Sequence, residues 1–276
     1  MAMLKAVIFD LGGTLMSFGD PEIDFRELTR RGLATLYAEL ARRDGRALPA
    51  QAEFTRALDD ALEAAWERSQ RTLRSERMDR VLAEAAPPWG LPTAPADLAA
   101  MAAAFHRGAQ PYVRLYDDTA ATLAWLRGRG LKIGLVSNTV WLPEMHDADL
   151  ARLGIAGQFD HRLYSSAFPY VKPHPAIFEA SLEALGVSAG EALFVGDRLV
   201  DDIGGALGAG LRAVHKLPLG QEERLEGGAP QGGGAPQGGG APQGGGAPQG
   251  GGAPQGGGAP EATIRALAEL RGIVER

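Results

Sequence analysis

Four short apolar runs punctuate this chain: Lys5–Asp10 (KAVIFD), Leu131–Val136, Ala192–Val195 and Leu211–Val214. A weaker fifth lies at Phe159–Tyr164. None alternates with polar residues, so each predicts a strand buried on both faces, as in a parallel sheet covered by helices. Between them the spacing turns helical. Thr119–Arg129 places Leu123, Trp125 and Leu126 inward, Ala176–Leu185 closes on Gly186, and Asp202–Gly210 predicts a short helix of small residues. Strands alternating with helices imply a doubly wound α/β sheet.

Residues 16–114 break this rhythm. They carry helical patterns at about 22–44, 51–72, 76–86 and 95–109, punctuated by Pro87, Pro88, Pro92 and Pro95, and no strand is expected there. The simplest organisation is an α/β domain of residues 1–15 and 115–276 with a helical domain, 16–114, inserted after the first strand. At the other end, Ile264, Leu267, Leu270 and Ile273 sit at helical spacing, so Glu261 onward is expected to be the last helix of the α/β domain. Residues 227–260 repeat Gly, Ala, Pro and Gln in units of six and hold no large apolar side chain. A flexible insertion is expected, because nothing there fills a solenoid core.

Composition narrows the functions. A net charge of −6 argues against a generic nucleic-acid surface. The insertion holds 14 Arg and 15 acidic residues and no Lys, so it is not polybasic either. With no Cys, thiol nucleophiles, Cys-ligated metals and disulfides are excluded. No apolar run approaches the 18 residues of a membrane span, and a cytoplasmic protein is expected.

The candidate chemistry lies just after the strands, where open α/β sheets bind ligands. Asp10 ends the first run, with Thr14 in the following turn. Ser137 and Asn138 end the second, Lys172 sits in Val171–Pro175, and Asp197 lies just after the run Ala192–Val195, followed by Asp201 and Asp202. Asp10 and Asp197 suit Mg²⁺, a hard cation that takes few carboxylates. Lys172 adds a second positive charge for an anionic phosphoryl group, and Ser137 a donor for its oxygens.

In order, Phe9-Asp-Leu-Gly-Gly-Thr-Leu15, Val136-Ser-Asn138, Lys172-Pro-His-Pro-Ala-Ile-Phe178 and Val195-Gly-Asp-Arg-Leu-Val-Asp-Asp202 resemble the four motifs of the haloacid dehalogenase (HAD) superfamily. The resemblance implies a Rossmann-like core with an all-helical cap that selects substrate. It implies a Mg²⁺-dependent phosphatase of a small phosphorylated metabolite. Asp10 would be the nucleophile that becomes an aspartyl phosphate. Metal would be held by Asp10, the Gly12 carbonyl, Asp197 and Asp202, with Asp201 a close competitor for the last place. Ser137, Asn138 and Thr14 would bind substrate, and Lys172 would neutralise nucleophile and transition state.

One position departs from the phosphatase pattern. The acid that usually stands two residues after the nucleophile is here Gly12. A proton donor at that stage is worth about 10²–10⁴-fold. Two alternatives follow: a 2-haloacid dehalogenase, which also lacks that acid but needs no metal, and a binding protein with a vestigial site. Asp20, Glu22 and Asp24 stand where the chain enters the insertion and read as solvated acids, as does Asp201 at its helix start. Trp66, Trp89, Trp125 and Trp141 read as packing residues, Trp141 and Met145 also as candidate pocket walls. The five His show no metal pattern, and the glycines after Asp202 read as close packing.

Overall fold

The computed structural model describes residues 3–19, 23–44, 48–217 and 258–276. The expectation for the repeat at 227–260 therefore lies outside the described residues, apart from its last three positions. In chain order the elements are β1 (Ala6–Phe9), β2 (Met16–Phe18), α1 (Phe25–Asp44), α2 (Gln51–Thr72), α3 (Met78–Ala85), α4 (Pro95–Ala109) and β3 (Val113–Leu115). There follow α5 (Thr119–Gly128), β4 (Lys132–Ser137), α6 (Pro143–Arg152), β5 (His161–Tyr164), α7 (Pro175–Leu185) and β6 (Ala192–Gly196). A π-type turn at Leu199–Gly204 leads into α8 (Gly205–Gly208), then β7 (Arg212–Lys216), β8 (Ala262–Ile264) and α9 (Leu270–Val274).

Six of the described strands form one sheet in the order β5-β4-β1-β6-β7-β8, all neighbours parallel. The absence of alternation in β1 has a direct cause. Val7 and Phe9 enter the larger hydrophobic cluster, and Ala6 and Ile8 enter the other. Leu193 and Val195 of β6 divide from Ala192 and Phe194 in the same way. Both faces are dry, so both sets of positions must be apolar. Phe9 lies level with Leu135 and Val195. That register delivers Asp10, Ser137 and Asp197 to one edge.

Helices α1–α4 pack on one another, α1 chiefly on α4, and bury Phe54, Met101 and Phe105 in the larger cluster. Three expectations are corrected. First, β2 and β3 form a two-stranded antiparallel ribbon where none was expected. Each has three residues, too few for a period of two to register. Second, the segment from Glu261 begins as a strand, with Ala262 opposite Val214, and only Leu270–Val274 is helical. Ile264 packs at a sheet edge, which helical spacing imitates over so short a run. Third, α6 went unread because half of its buried face is polar: Met145, His146, Asp149 and Leu150. Nε2 of His106 on α4 lies 3.0 Å from Asp149 Oδ2 and partners that oxygen of the carboxylate.

Candidate active site

Asp10 follows the last residue of β1 and is 7% exposed. Lys172, 1% exposed, donates to Asp10 Oδ1 at 2.7 Å and to the Val136 carbonyl at 2.8 Å. It also pairs with Asp202 Oδ1 at 2.7 Å. The loop carrying Lys172 is fixed from β4: Asn138 Nδ2 donates to the Lys172 carbonyl (2.8 Å), and Asn138 Oδ1 accepts the Lys172 N–H (2.7 Å). Asn138 thus spends both ends of its amide on positioning the ammonium, although it also lines the cleft. Asp202 is fully buried and accepts the Arg198 N–H at 2.9 Å.

Oxygens of Asp10, Asp197 and Asp202 lie within 4.8 Å of one another. Two of the three carboxylates, Asp10 and Asp202, share the Lys172 ammonium, and Asp197 Oδ1 is buried without a hydrogen-bond partner among the described residues. The electrostatics follow. Burial raises the Asp10 carboxyl to about 6, with Lys172 opposing and Asp202 adding to the rise. Asp197 is pushed well above the ordinary carboxylate range by burial and by the Asp10 and Asp202 charges. Burial disfavours the charged Lys172, but Asp10 and Asp202 outweigh it and raise its pKa. A divalent cation suits this set: the donors are hard oxygens, and the excess negative charge is buried. Asp10, Asp197 and Asp202 are the residues that could hold it, and Gly12 lines the same cleft.

Gly13 shows why small residues follow the nucleophile. Its φ is +83°, and a Cβ there would lie 2.4 Å from Asp197 Oδ2. Gly12 differs. Its φ is outside the left-handed region, but a Cβ would stand 3.0 Å from Cε2 of the Phe18 ring.

The structure brings Asp10, Gly12, Ser137, Asn138, Lys172, Asp197 and Asp201 to one cleft of about 1110 Å³, counted to its open mouth. Asp202 sits behind Lys172. Thr14 is fully buried, is not among the residues lining the cleft, and its hydroxyl has no hydrogen-bond partner among the described residues. Asp201 is buried rather than solvated and pairs with Arg198 Nε at 2.8 Å. That contact leaves Asp202 as the acid joined to Asp10 and Asp197. Asp24 is occupied too, its Oδ1 accepting the Glu27 N–H at the start of α1. Asp20 and Glu22 lie outside the described residues. Trp141 lines the cleft and Met145 is not among its lining residues.

The sequence reading missed the opposite wall. Phe18 lies on β2, Phe25 and Arg26 on α1, and Asp59, Glu63 and Trp66 on α2, all facing the cleft. Trp66 falls on the stripe Leu58, Leu62, Trp66, which reads as ordinary helix core. His146 is also a wall residue, buried, with Nε2 2.9 Å from Thr139 Oγ1. Burial lowers its pKa to about 4.

Residues 4–210 match the haloacid dehalogenase-like hydrolase model. A glyceraldehyde 3-phosphate phosphatase of Pyrococcus abyssi is 30% identical over 218 residues, 77% of this chain and 81% of its own. A protein of the same name from Methanopyrus kandleri is 38% identical over 117 residues, 42% of this chain; the match spans about half of that relative, 49%. Among solved structures, a 2-haloacid dehalogenase of Pseudomonas syringae superposes with a TM-score of 0.65 at 23% identity, covering 99% of each chain. With a match over residues 4–210 and a cleft built from three strand ends and the Lys172 loop, this chain belongs to the haloacid dehalogenase-like hydrolases.

Proposed function

We propose that this protein is a Mg²⁺-dependent phosphatase that acts through an aspartyl phosphate on Asp10, with the helical insertion 16–114 as its cap. One observation carries the reading: oxygens of three carboxylates converge within 4.8 Å, Lys172 pairs with only two of them, Asp10 and Asp202, and Asp197 Oδ1 has no hydrogen-bond partner among the described residues. Hydrolysis through carbon–halogen displacement would need only the nucleophile and a cradle for the halide. A set that demands a dication supports phosphoryl transfer. Two relatives named for phosphatase activity, the Pyrococcus abyssi protein and a Thermus thermophilus phosphoserine phosphatase 40% identical over 114 residues, point the same way.

In this reading Asp10, Asp197 and Asp202, with the Gly12 carbonyl, hold the metal, which neutralises phosphoryl charge when bound. The rest falls to side chains. The Lys172 ammonium holds one oxygen of Asp10, which keeps the other free to attack phosphorus as the ester P–O bond breaks. Ser137, at the end of β4, faces the phosphoryl oxygens. Water then attacks the phosphorus of the aspartyl phosphate, releasing phosphate and restoring the carboxylate.

Phosphate release from p-nitrophenyl phosphate should require Mg²⁺, cease in EDTA, and be lost in Asp197→Asn. Thermal stabilisation by Mg²⁺ should vanish in the same variant. Gly12 supports a second reading, 2-haloacid dehalogenation, and a Xanthobacter autotrophicus (S)-2-haloacid dehalogenase is 37% identical over 116 residues. Chloride release from 2-chloropropionate in EDTA, without phosphatase activity, would establish it instead.

A further inference from the structure

The wall that faces the nucleophile is made of rings. Phe18 stands over Gly12 and meets Trp141 edge-on at 5.4 Å and 82°, and Phe25 at 6.4 Å and 83°. Phe25 stacks on Trp141 at 6.3 Å and 27°, and Trp141 on His146 at 5.6 Å and 19°. On the other side Trp66 projects from α2 beside Leu62. These rings line the cleft with apolar surface, and an apolar group that enters it gains burial.

The charges of the cleft are already engaged. Among the described residues its cations are Lys172, Arg26 and Arg198. Lys172 faces Asp10 and Asp202, Arg26 donates to Glu63 Oε1 at 2.8 Å, and Arg198 pairs with Asp201 at 2.8 Å. Each thus already faces an acidic side chain. Gly12 offers no proton donor, and a side chain there would press on the Phe18 ring, its Cβ 3.0 Å from Cε2. An unprotonated alkoxide leaves badly, whereas an aryl oxide, far less basic, leaves as the anion with its electron pair and takes its proton from water.

We propose that the substrate is an aryl phosphate monoester, its ring seated against the apolar lining to which Phe18, Trp141 and Trp66 contribute and its leaving group acidic enough to need no proton donor. This inference rests on the phosphatase reading. The step balances: an Asp10 oxygen forms the bond to phosphorus, the aryl oxygen takes the electron pair of the broken P–O bond, and water later returns the carboxylate and yields phosphate.

The wild-type enzyme with Mg²⁺ should be assayed on phenyl and 2-naphthyl phosphate, on phenyl phosphates of graded leaving-group pKa, and on glycerol 3-phosphate and O-phosphoserine. Aryl esters should exceed the two alkyl esters in kcat/KM by about 10²–10⁴-fold, the span that a missing proton donor accounts for. Trp66→Leu should reduce the ratio of 2-naphthyl to glycerol phosphate turnover about 2- to 12-fold. Alkyl esters turned over as well as aryl esters, with no leaving-group dependence, would overturn the inference and leave the phosphatase reading standing. So would an Asp59→Asn variant that loses alkyl ester turnover selectively, because the cap would then supply the proton. Absence of turnover on every phosphate ester would overturn the phosphatase reading itself.

Discussion

Replacing Lys172 with Met removes the ammonium shared by Asp10 and Asp202 and leaves these two buried carboxylates facing each other and the half-buried Asp197. Met keeps most of the length of the aliphatic stem, so packing changes little. Removing one member of a buried pair costs about 3–5 kcal/mol. At about 2–4 °C per kcal/mol in a chain of this size, that is a fall in Tm of about 6–20 °C. The sign of the pH dependence follows from the carboxylates. The Asp10 pKa is raised by burial to about 6 even with Lys172 present, and without it the pKa rises further. A carboxyl whose folded pKa is raised stabilises below its unfolded pKa and loses that stability as pH rises through the folded value. The loss in Lys172→Met should therefore be full at pH 8 and about half as large at pH 5, where one carboxylate takes up a proton. Lys172 itself does not titrate in this window, its pKa being raised by its two carboxylate neighbours against the effect of burial. Urea denaturation in EDTA at both pH values measures this. The double variant Lys172→Met/Asp202→Asn should recover about 0.5–3 kcal/mol, because the two sites are in contact. A loss below about 1 kcal/mol at pH 8, or one equal at both pH values, would refute the reasoning.

Asp10→Asn should abolish turnover while leaving stability in EDTA at pH 8 equal or higher, since it removes a carboxylate whose neutral form the fold prefers; calorimetry beside the activity assay checks both. His146 is buried neutral with a pKa near 4, so it should cost stability as pH falls from 6.5 through 4, on the order of 3 kcal/mol. The difference between wild type and His146→Gln, followed by denaturation across pH 3.5–7, isolates that change from the opposite trend of Asp10. Deleting 227–257 leaves 13 residues between Leu217 and Ala262, close to the dozen or so that a crossover between the parallel strands β7 and β8 requires. The shortened protein should keep full activity and gain up to about 1 kcal/mol from loop closure, read by urea denaturation.

Much of this molecule is legible in its one-dimensional pattern. The unbroken apolar runs of β1, β4 and β6 mean two dry faces, and two dry faces mean a parallel sheet between helices. Asp10, Ser137 and Asp197 stand out because polar residues just after such runs must emerge at the sheet's carboxyl edge, and Lys172 stands out only by its Lys-Pro motif in a loop. Side-chain period and strand direction are local properties, so local sequence states them. The structure alone decided what depends on distant residues meeting. It chose Asp202 over Asp201, because only packing shows that Arg198 takes Asp201 while Asp202 turns to Lys172. Packing also joined Asn138 to the lysine loop 34 residues away and set Thr14 outside the cleft lining. It hid α6 from the pattern, because His106 partners one oxygen of Asp149 on that helix's buried face. The ring wall is of the same kind. Phe18, Phe25, Trp66 and Trp141 carry no periodicity apart from that of core. They become the boundary of a cleft only when a ribbon, two helices and a loop after β4 converge over Gly12.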